Sequence, residues 1–310
     1  MPNFSRLVAQ ANLALLRRLL PQVSAGDRSS LARTLMQDRF DPATGMLAEF
    51  CQSAVHAWKN RQYDISLNGE ESLLARLAPL DLHILLDVGA NKGSWTRAAR
   101  QHLPEADVHA FEIDPDTARI LSQEFGSDPN VVINVMGLGE SNGEITIYAS
   151  PESSTATSTL RHAIEASREE HRIHTIAAKT ARIVTGDAYM RSQGLARIDL
   201  LKIDVEGAEF AVLRGFTETF AAGLIDVVQF EYGKINLATR CFLADFHQFF
   251  AEHGYVLGKL FPEGVVFKPY DIDDEDFVGP NFIACREGRR DIIDAVSYRP
   301  GEGVSARGTA

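Results

Sequence analysis

The chain has 310 residues, 45% of them hydrophobic, enough to bury a large core in one long domain or a domain with an appendage. A net charge of −11, from 31 basic and 42 acidic residues, sets an acidic surface against phosphate backbones and excludes nucleic acid as the expected partner. Three scattered cysteines, Cys51, Cys241 and Cys285, form neither a disulfide framework nor a zinc cluster and point to a reducing, cytoplasmic setting.

The opening stretch, MPNFSRLVAQANLALLRRLLPQ, is amphipathic and interrupted by Arg17 and Arg18. No small-residue cleavage site follows an apolar core, so it does not read as a signal peptide. No apolar run in the chain reaches the roughly 18 residues needed to span a bilayer. Packing against the domain is the expected role of this helix, with contact to a membrane surface as the alternative. Residues 1–80 read as a helical extension, closing with SLLARLAPL near Pro79.

From there the pattern alternates. HILLDVGAN is an apolar strand and a glycine turn, and SWTRAARQHL a two-faced helix. VHAFEI is a second strand, and DPDTARILSQEF a helix with Asp114 as N-cap and Pro115 in the first turn. NVVINVMGLG is a third strand; GEITIYAS follows Asn142-Gly143, a hairpin signal. SPESSTATSTLRH reads as a polar loop. IDLLKIDVEG with AEFAVLRGFTETFAAG, and DVVQFEYG with LADFHQFFAEHGY, are two more strand–helix pairs. YVLGKLF, VVFKPY and NFIACR read as antiparallel strands closing one edge, with the acidic DIDDEDF as a solvated turn, and the tail after Arg289 as disordered. Strands alternating with helices of this length predict an α/β, doubly wound, mostly parallel sheet that binds ligands at the carboxyl ends of its strands. The expected boundaries are 1–80 for the extension, 81–288 for the sheet domain and 289–310 for the tail.

Gly89 and Gly93 follow the first strand directly. The first permits a tight turn, and the second opens a helix whose free N–H groups face the loop. A dinucleotide fold wants G-x-G-x-x-G, but Asn91 stands at its second glycine, so the loop suits a nucleotide-like ligand without a pyrophosphate. S-adenosylmethionine is such a ligand. Asp87 is placed to meet its ammonium group and Glu112, ending the second strand, to accept both ribose hydroxyls. Asn91, Ile113 and Met136 complete the expected cofactor set.

IDLLKIDVEG is an oily strand carrying Lys202, Asp204 and Glu206 at every second position, and Gln229 and Glu231 alternate likewise in DVVQFEYG. Side by side, they would form a polar stripe opening toward the cleft. Lys202 is expected to pair with acids as a buried structural cation. Asp204 at the strand terminus is expected to act, with the alternative for Glu206 of capping the next helix. His162, His171 and His174 fall near the Ser/Thr-rich loop, where an exposed or structural role is expected ahead of contact with the acceptor; Phe230 and Tyr232 flank Glu231 as candidate walls of the pocket, with core packing the expectation for Phe230.

DVGANKG, FEID and above all IDLLKIDVEGAEFAVLRGF resemble the FkbM family of S-adenosylmethionine-dependent methyltransferases, over roughly residues 85–232. The resemblance implies the seven-stranded methyltransferase version of the doubly wound, Rossmann-like sheet. It also implies methylation of hydroxyl oxygens on sugars, polyketides or other secondary metabolites, with cell-surface glycan as the leading substrate class. Ile113 stands where the family often has proline, while Glu112 is kept. The expected reaction is an in-line displacement with Asp204 as base, Glu231 second and Glu206 third. A Mg²⁺ ion on these acids is a less favoured alternative because Lys202 lies beside them. Rival readings are an NAD-linked oxidoreductase, disfavoured by Asn91, and a non-catalytic glycan- or protein-binding module on the same fold.

Overall fold

A computed structural model describes residues 18, 20–150, 153–159, 165 and 173–300. The chain divides into two compact units, Met1–Trp58 and Lys59–Ala310. In the first, helices α1 (Ala25–Gln37) and α2 (Pro42–Trp58) are described, and Ser24 and Asp27 cap α1 reciprocally. Most of the opening amphipathic stretch lies outside the described residues.

The second unit begins with two short helices, α3 (Ile65–Asn68) and α4 (Glu70–Leu77). Leu73, Leu74 and Leu77 of α4 are buried in the same core as the sheet, so the unit boundary falls at Trp58/Lys59 rather than at residue 80. The central sheet is built from β1 (Ile84–Val88), β2 (Asp107–Phe111), β3 (Val131–Asn134), β8 (Ile198–Ile203), β9 (Ile225–Glu231), β10 (Tyr255–Phe261), β11 (Gly264–Phe267) and β12 (Asn281–Arg286). Its order is β11-β10-β12-β9-β8-β1-β2-β3. β9, β8, β1, β2 and β3 run parallel; β12, β10 and β11 close the edge antiparallel, as expected. The expected seven strands are present, and β11 adds an eighth as the far arm of a hairpin.

The strands read as continuous apolar runs because each feeds two cores. Leu85, Leu200 and Val227 pack on one face, under α4, α5 (Ser94–His102) and α6 (Pro115–Phe125). Leu86, Leu201 and Val228 pack on the other, with Tyr189 and Met190 of α7 (Gly186–Gln193), Val212 and Leu213 of α8 (Glu209–Arg214), Phe220 of α9 (Thr217–Ala221), and Phe246 and Phe250 of α11 (Leu243–Glu252), which follows the single turn α10 (Asn236–Thr239). The run AEFAVLRGFTETFAAG is thus two helices; they break at Gly215, where a Cβ would lie 2.2 Å from the Gly139 carbonyl oxygen.

A second sheet, order β4-β7-β5-β6, was only partly legible. It comprises β4 (Gly137–Leu138), β5 (Gly143–Ser150), β6 (Ser153–Ser158) and β7 (Ala177–Val184). The Ser/Thr-rich segment expected as a loop contributes β6, paired antiparallel to β5. Asn142-Gly143 does not turn a hairpin, since β7 lies between β4 and β5. Asn142 Oδ1 instead accepts the Thr185 N–H at 2.8 Å. The tail expected to be disordered from Arg289 forms α12 (Arg290–Val296), which buries Ile292, Ile293 and Val296; residues 301–310 lie outside the described residues.

The amino rim of the sheet is held by charge. Asp226 at the start of β9 is buried and takes the guanidinium groups of Arg197, Arg286 and Arg289. Asp199 at the start of β8 accepts the His83 and Ile84 N–H groups at 2.8 and 2.9 Å.

Candidate active site

At the opposite, carboxyl rim, β1 ends in the glycine loop. Gly89 has φ +86°, and a Cβ there would lie 1.8 Å from the Asp204 carbonyl oxygen, so only glycine lets β1 and β8 close at their tips. Its N–H and that of Ala90 both donate to Phe111 O, tying the loop to β2. Gly93 (φ +86°) starts α5 where a Cβ would meet Phe125 at 2.4 Å.

Two cavities flank this loop. One, about 220 Å³, is mainly apolar, walled by Phe111, Ile113, Met136, Leu138 and Val205 and covered by Ile147 of the second sheet. The other, about 430 Å³, is polar: Glu70, Asn91, Trp95, Lys202 and Asp204 line it. Gly89 borders both.

The structure brings Ile113 and Met136 to the apolar cavity and Asn91 to the polar one. Glu112 is buried and is not among the residues lining either cavity. Its Oε2 accepts the Asn91 N–H at 2.9 Å and its Oε1 the Asp114 N–H at 2.7 Å, and burial pushes its carboxyl up to about 7. Asp87 is not open to a ligand. It is fully buried, its Oδ2 accepting Thr96 Oγ1–H at 2.7 Å and its Oδ1 lying 3.2 Å from Lys202 Nζ. The aspartate expected to meet an ammonium group has already met one, from inside the protein.

That contact explains the charged stripe. Lys202 sits between Asp87 and Asp204, at 3.2 and 3.3 Å. Burial opposes its charge, but Asp87, Asp204 and Glu70 outweigh burial and hold the ammonium above its ordinary value. Beyond it, Asp204, Glu206 and Glu231 each offer a carboxylate oxygen, all within 4.8 Å of one another. Burial, then the neighbouring Asp204, drives both Glu206 and Glu231 well above the usual carboxylate range. Such a trio shares protons, or holds a hard cation.

The helix cap expected of Glu206 is not made, since N-cap Ala208 of α8 has no side-chain partner; Glu209 Oε1 instead accepts the Val205 and Gly207 N–H groups of the turn before the helix, both at 3.1 Å. These bonds hold Glu206 and Gly207 in left-handed conformation (φ +54° and +104°). Ser158 Oγ of β6 donates to Glu206 O at 3.0 Å, tying the second sheet to the same turn. Phe230 stacks on Phe246 in the core, as expected. Tyr232 is buried too, its hydroxyl donating to Glu275 at 2.5 Å, so it does not wall the site. Among the histidines, His174 is exposed, and His162 and His171 lie outside the described residues.

Sequence reasoning missed Glu70. Its Oε2 accepts Gln229 Nε2–H at 2.6 Å, and its Oε1 accepts from Asn68 and Asn281 at 2.6 and 3.1 Å. The available signal was Asn68-Gly69-Glu70: Gly69 has φ +106°, and a Cβ there would sit 2.5 Å from Phe261 O.

The model for the methyltransferase FkbM domain matches residues 87–257, more than half the chain. The chain belongs to the FkbM methyltransferase family. Among FkbM-like relatives it is 29% identical over 195 residues to the hexuronic acid methyltransferase AglP of Haloferax volcanii, covering 61% of this chain and 73% of that one. It is 28% identical over 144 residues to the 2-O-methyltransferase NoeI of Sinorhizobium fredii, spanning 44% of this chain and 58% of the relative. A solved FkbM methyltransferase from Methylobacillus flagellatus overlays with TM-score 0.42 at 12% identity, covering 66% of this chain and 44% of that one. Glu70 lies outside the matched segment, as do α3 and α4. Among the described residues, no helix is long and apolar enough to cross a membrane.

Proposed function

We propose that this methyltransferase moves a methyl group from S-adenosylmethionine to a hydroxyl oxygen of a sugar within a small molecule or glycan. The observation that carries the reading is the meeting of Asp204, Glu206 and Glu231 at the carboxyl rim, beside a glycine loop with an apolar cavity on one side and a polar one on the other. The chain's own residues fit the donor. Asn91 Oδ1 is a buried acceptor without a partner, which a ligand's hydroxyl or ammonium group would satisfy. Glu112 has two of its four lone-pair sites taken, leaving two for ribose hydroxyls. Phe111, Ile113 and Met136 offer an apolar slot for an adenine. The name of AglP, a hexuronic acid methyltransferase, supports a sugar acceptor, and that of NoeI, a 2-O-methyltransferase, supports an oxygen as the methylated atom.

When bound, the donor supplies an electrophilic methyl carbon on a sulfonium. The loop and Asn91 orient it, and alignment of the acceptor oxygen provides much of the rate. With a donor and acceptor bound, Asp204 would take the acceptor's hydroxyl proton, with Glu231 and Glu206 as proton-holding neighbours. Lys202 at 3.3 Å competes with a divalent cation for Asp204 Oδ2, so the trio reads as a proton acceptor. Chelation of divalent ions is then expected to leave turnover unchanged.

Calorimetric titration with S-adenosylhomocysteine and NAD tests the donor, and mass spectrometry of hexuronate-containing and neutral saccharides incubated with S-adenosylmethionine tests the acceptor. Binding of the adenosyl compound without NAD, and a gain of one methyl mass on a hydroxyl, are expected. Binding of NAD alone would replace this reading with an oxidoreductase.

A further inference from the structure

Glu70 is a buried carboxylate with an unusual set of partners. All three side chains that hydrogen-bond to it, Asn68, Gln229 and Asn281, are neutral amides. The nearby cation Lys202 is already flanked by Asp87 and Asp204 at 3.2 and 3.3 Å. Asp64, Glu70 and Asp204 line the cavity with Lys92 and Lys202, and Asp87 backs Lys202, so carboxylates outnumber ammonium groups there. The buried part of that surplus, at Glu70 and Asp87, costs several kcal/mol unless a cation offsets it. Burial drives the Glu70 carboxyl upward, against the pull of Lys202.

The construction around Glu70 is specific. Gly69 presses its backbone against the end of β10, where no side chain fits. Asn68 Oδ1 accepts the Glu70 N–H at 3.0 Å while Asn68 Nδ2 holds the carboxylate, and Asn60 Nδ2 bridges Asn68 O and Leu260 O at 2.7 and 3.0 Å. Four amide side chains, counting Asn60, thereby set one carboxylate at the cavity wall.

We propose that Glu70, supplied by the segment preceding the family-matched region, is the binding residue for the ammonium group of the donor's amino-acid end, the role that Asp87 cannot fill. This rests on the reading that the donor is S-adenosylmethionine. The polar cavity then takes the amino-acid end and the apolar cavity the adenine, with Gly89 between them. The donor's amino-acid end is a zwitterion: its ammonium meets Glu70, while its carboxylate turns to the Lys92 side of the same cavity, so recognition depends on the ammonium as well as on adenosine.

The test is calorimetry on the full chain with S-adenosylhomocysteine and with 5′-methylthioadenosine, which keeps adenosine and lacks the amino-acid end. Glu70→Gln is expected to weaken S-adenosylhomocysteine by about 10- to 100-fold, the range for a lost charged hydrogen bond, and to leave methylthioadenosine unchanged. Equal weakening of both ligands, or of neither, overturns the proposal. The unmutated chain provides an arm independent of folding: the desamino analogue of S-adenosylhomocysteine is expected to bind at least about tenfold more weakly than the parent. Equal affinity for the two overturns the proposal while leaving the donor reading intact. Failure of every adenosyl compound to bind the unmutated chain overturns both.

Discussion

Gly89→Ala isolates the closure of the site from ordinary backbone strain. The new methyl would fall 1.8 Å from Asp204 O and 2.7 Å from its carbonyl carbon, both backbone atoms with no rotamer to yield. The tips of β1 and β8 would part, losing the Asp204 N–H to Val88 O bond of 2.9 Å. Left-handed strain of about 1–2 kcal/mol, overpacking of about 1–3 and the lost hydrogen bond of about 1 together give roughly 3–6 kcal/mol. Gly194→Ala is the matched control: its φ is +66°, and no atom lies within 4 Å of the added carbon. It is expected to cost only the strain, about 1–2 kcal/mol. The assay is the urea midpoint followed by fluorescence of buried Trp95, in a Trp58→Phe background that leaves it as the sole tryptophan. Equal losses from the two substitutions would refute the argument that contact with Asp204, rather than φ, makes glycine necessary at position 89.

Lys202→Met leaves Asp87, fully buried, without its cation and is expected to destabilise by about 3–5 kcal/mol; adding Asp87→Asn should recover more than half of that in the same urea assay. Burial pushes the Glu209 carboxyl from the ordinary 4.5 up to about 7. The folded chain therefore holds that proton more tightly, and the associated stability is complete below 4.5 and lost as pH rises toward 7. Glu209→Gln should flatten the fall in stability across that window, by up to about 1.4 kcal/mol per pH unit, measured as urea midpoints at successive pH values. An undiminished slope would remove Glu209 as its source. Asp204→Asn is expected to keep S-adenosylhomocysteine affinity within about threefold while lowering turnover about 10²- to 10⁴-fold; unchanged turnover would take Asp204 out of the proton path.

The parallel sheet was legible because its strands announce themselves twice, as apolar runs and as partners of two-faced helices. β1, β2, β8 and β9 lie where HILLDVGAN, VHAFEI, IDLLKIDVEG and DVVQFEYG placed them. β6 was not legible: Ser, Thr and Ala in SSTATS carry no core signal, and the strand exists through its pairing with β5. α12 was hidden by the polar run around Arg289, although Ile292, Ile293 and Val296 have helical spacing. At the site, Asp204, Glu206 and Glu231 do meet, but not as one strand face: β8 ends at Ile203, and Glu206 stands at φ +54° in the turn beyond it. Spacing could not tell Asp87 from an open carboxylate, because Thr96 and Lys202 close it from other elements. Glu70 comes from 159 residues upstream of its partner Gln229, a proximity that only the fold creates.

Asp226 binds the sheet like the spine of a book. With three guanidinium groups on one buried carboxylate, a substitution there would take a partner from each at once, leaving Arg197 with Asp199 and Arg289 with Asp291, so that edge tolerates little rewriting. The pages lie at the far edge, where loops carry the side chains of the site. New acceptors can be accommodated by editing those pages while the binding stays untouched, which is how one scaffold comes to serve many molecules.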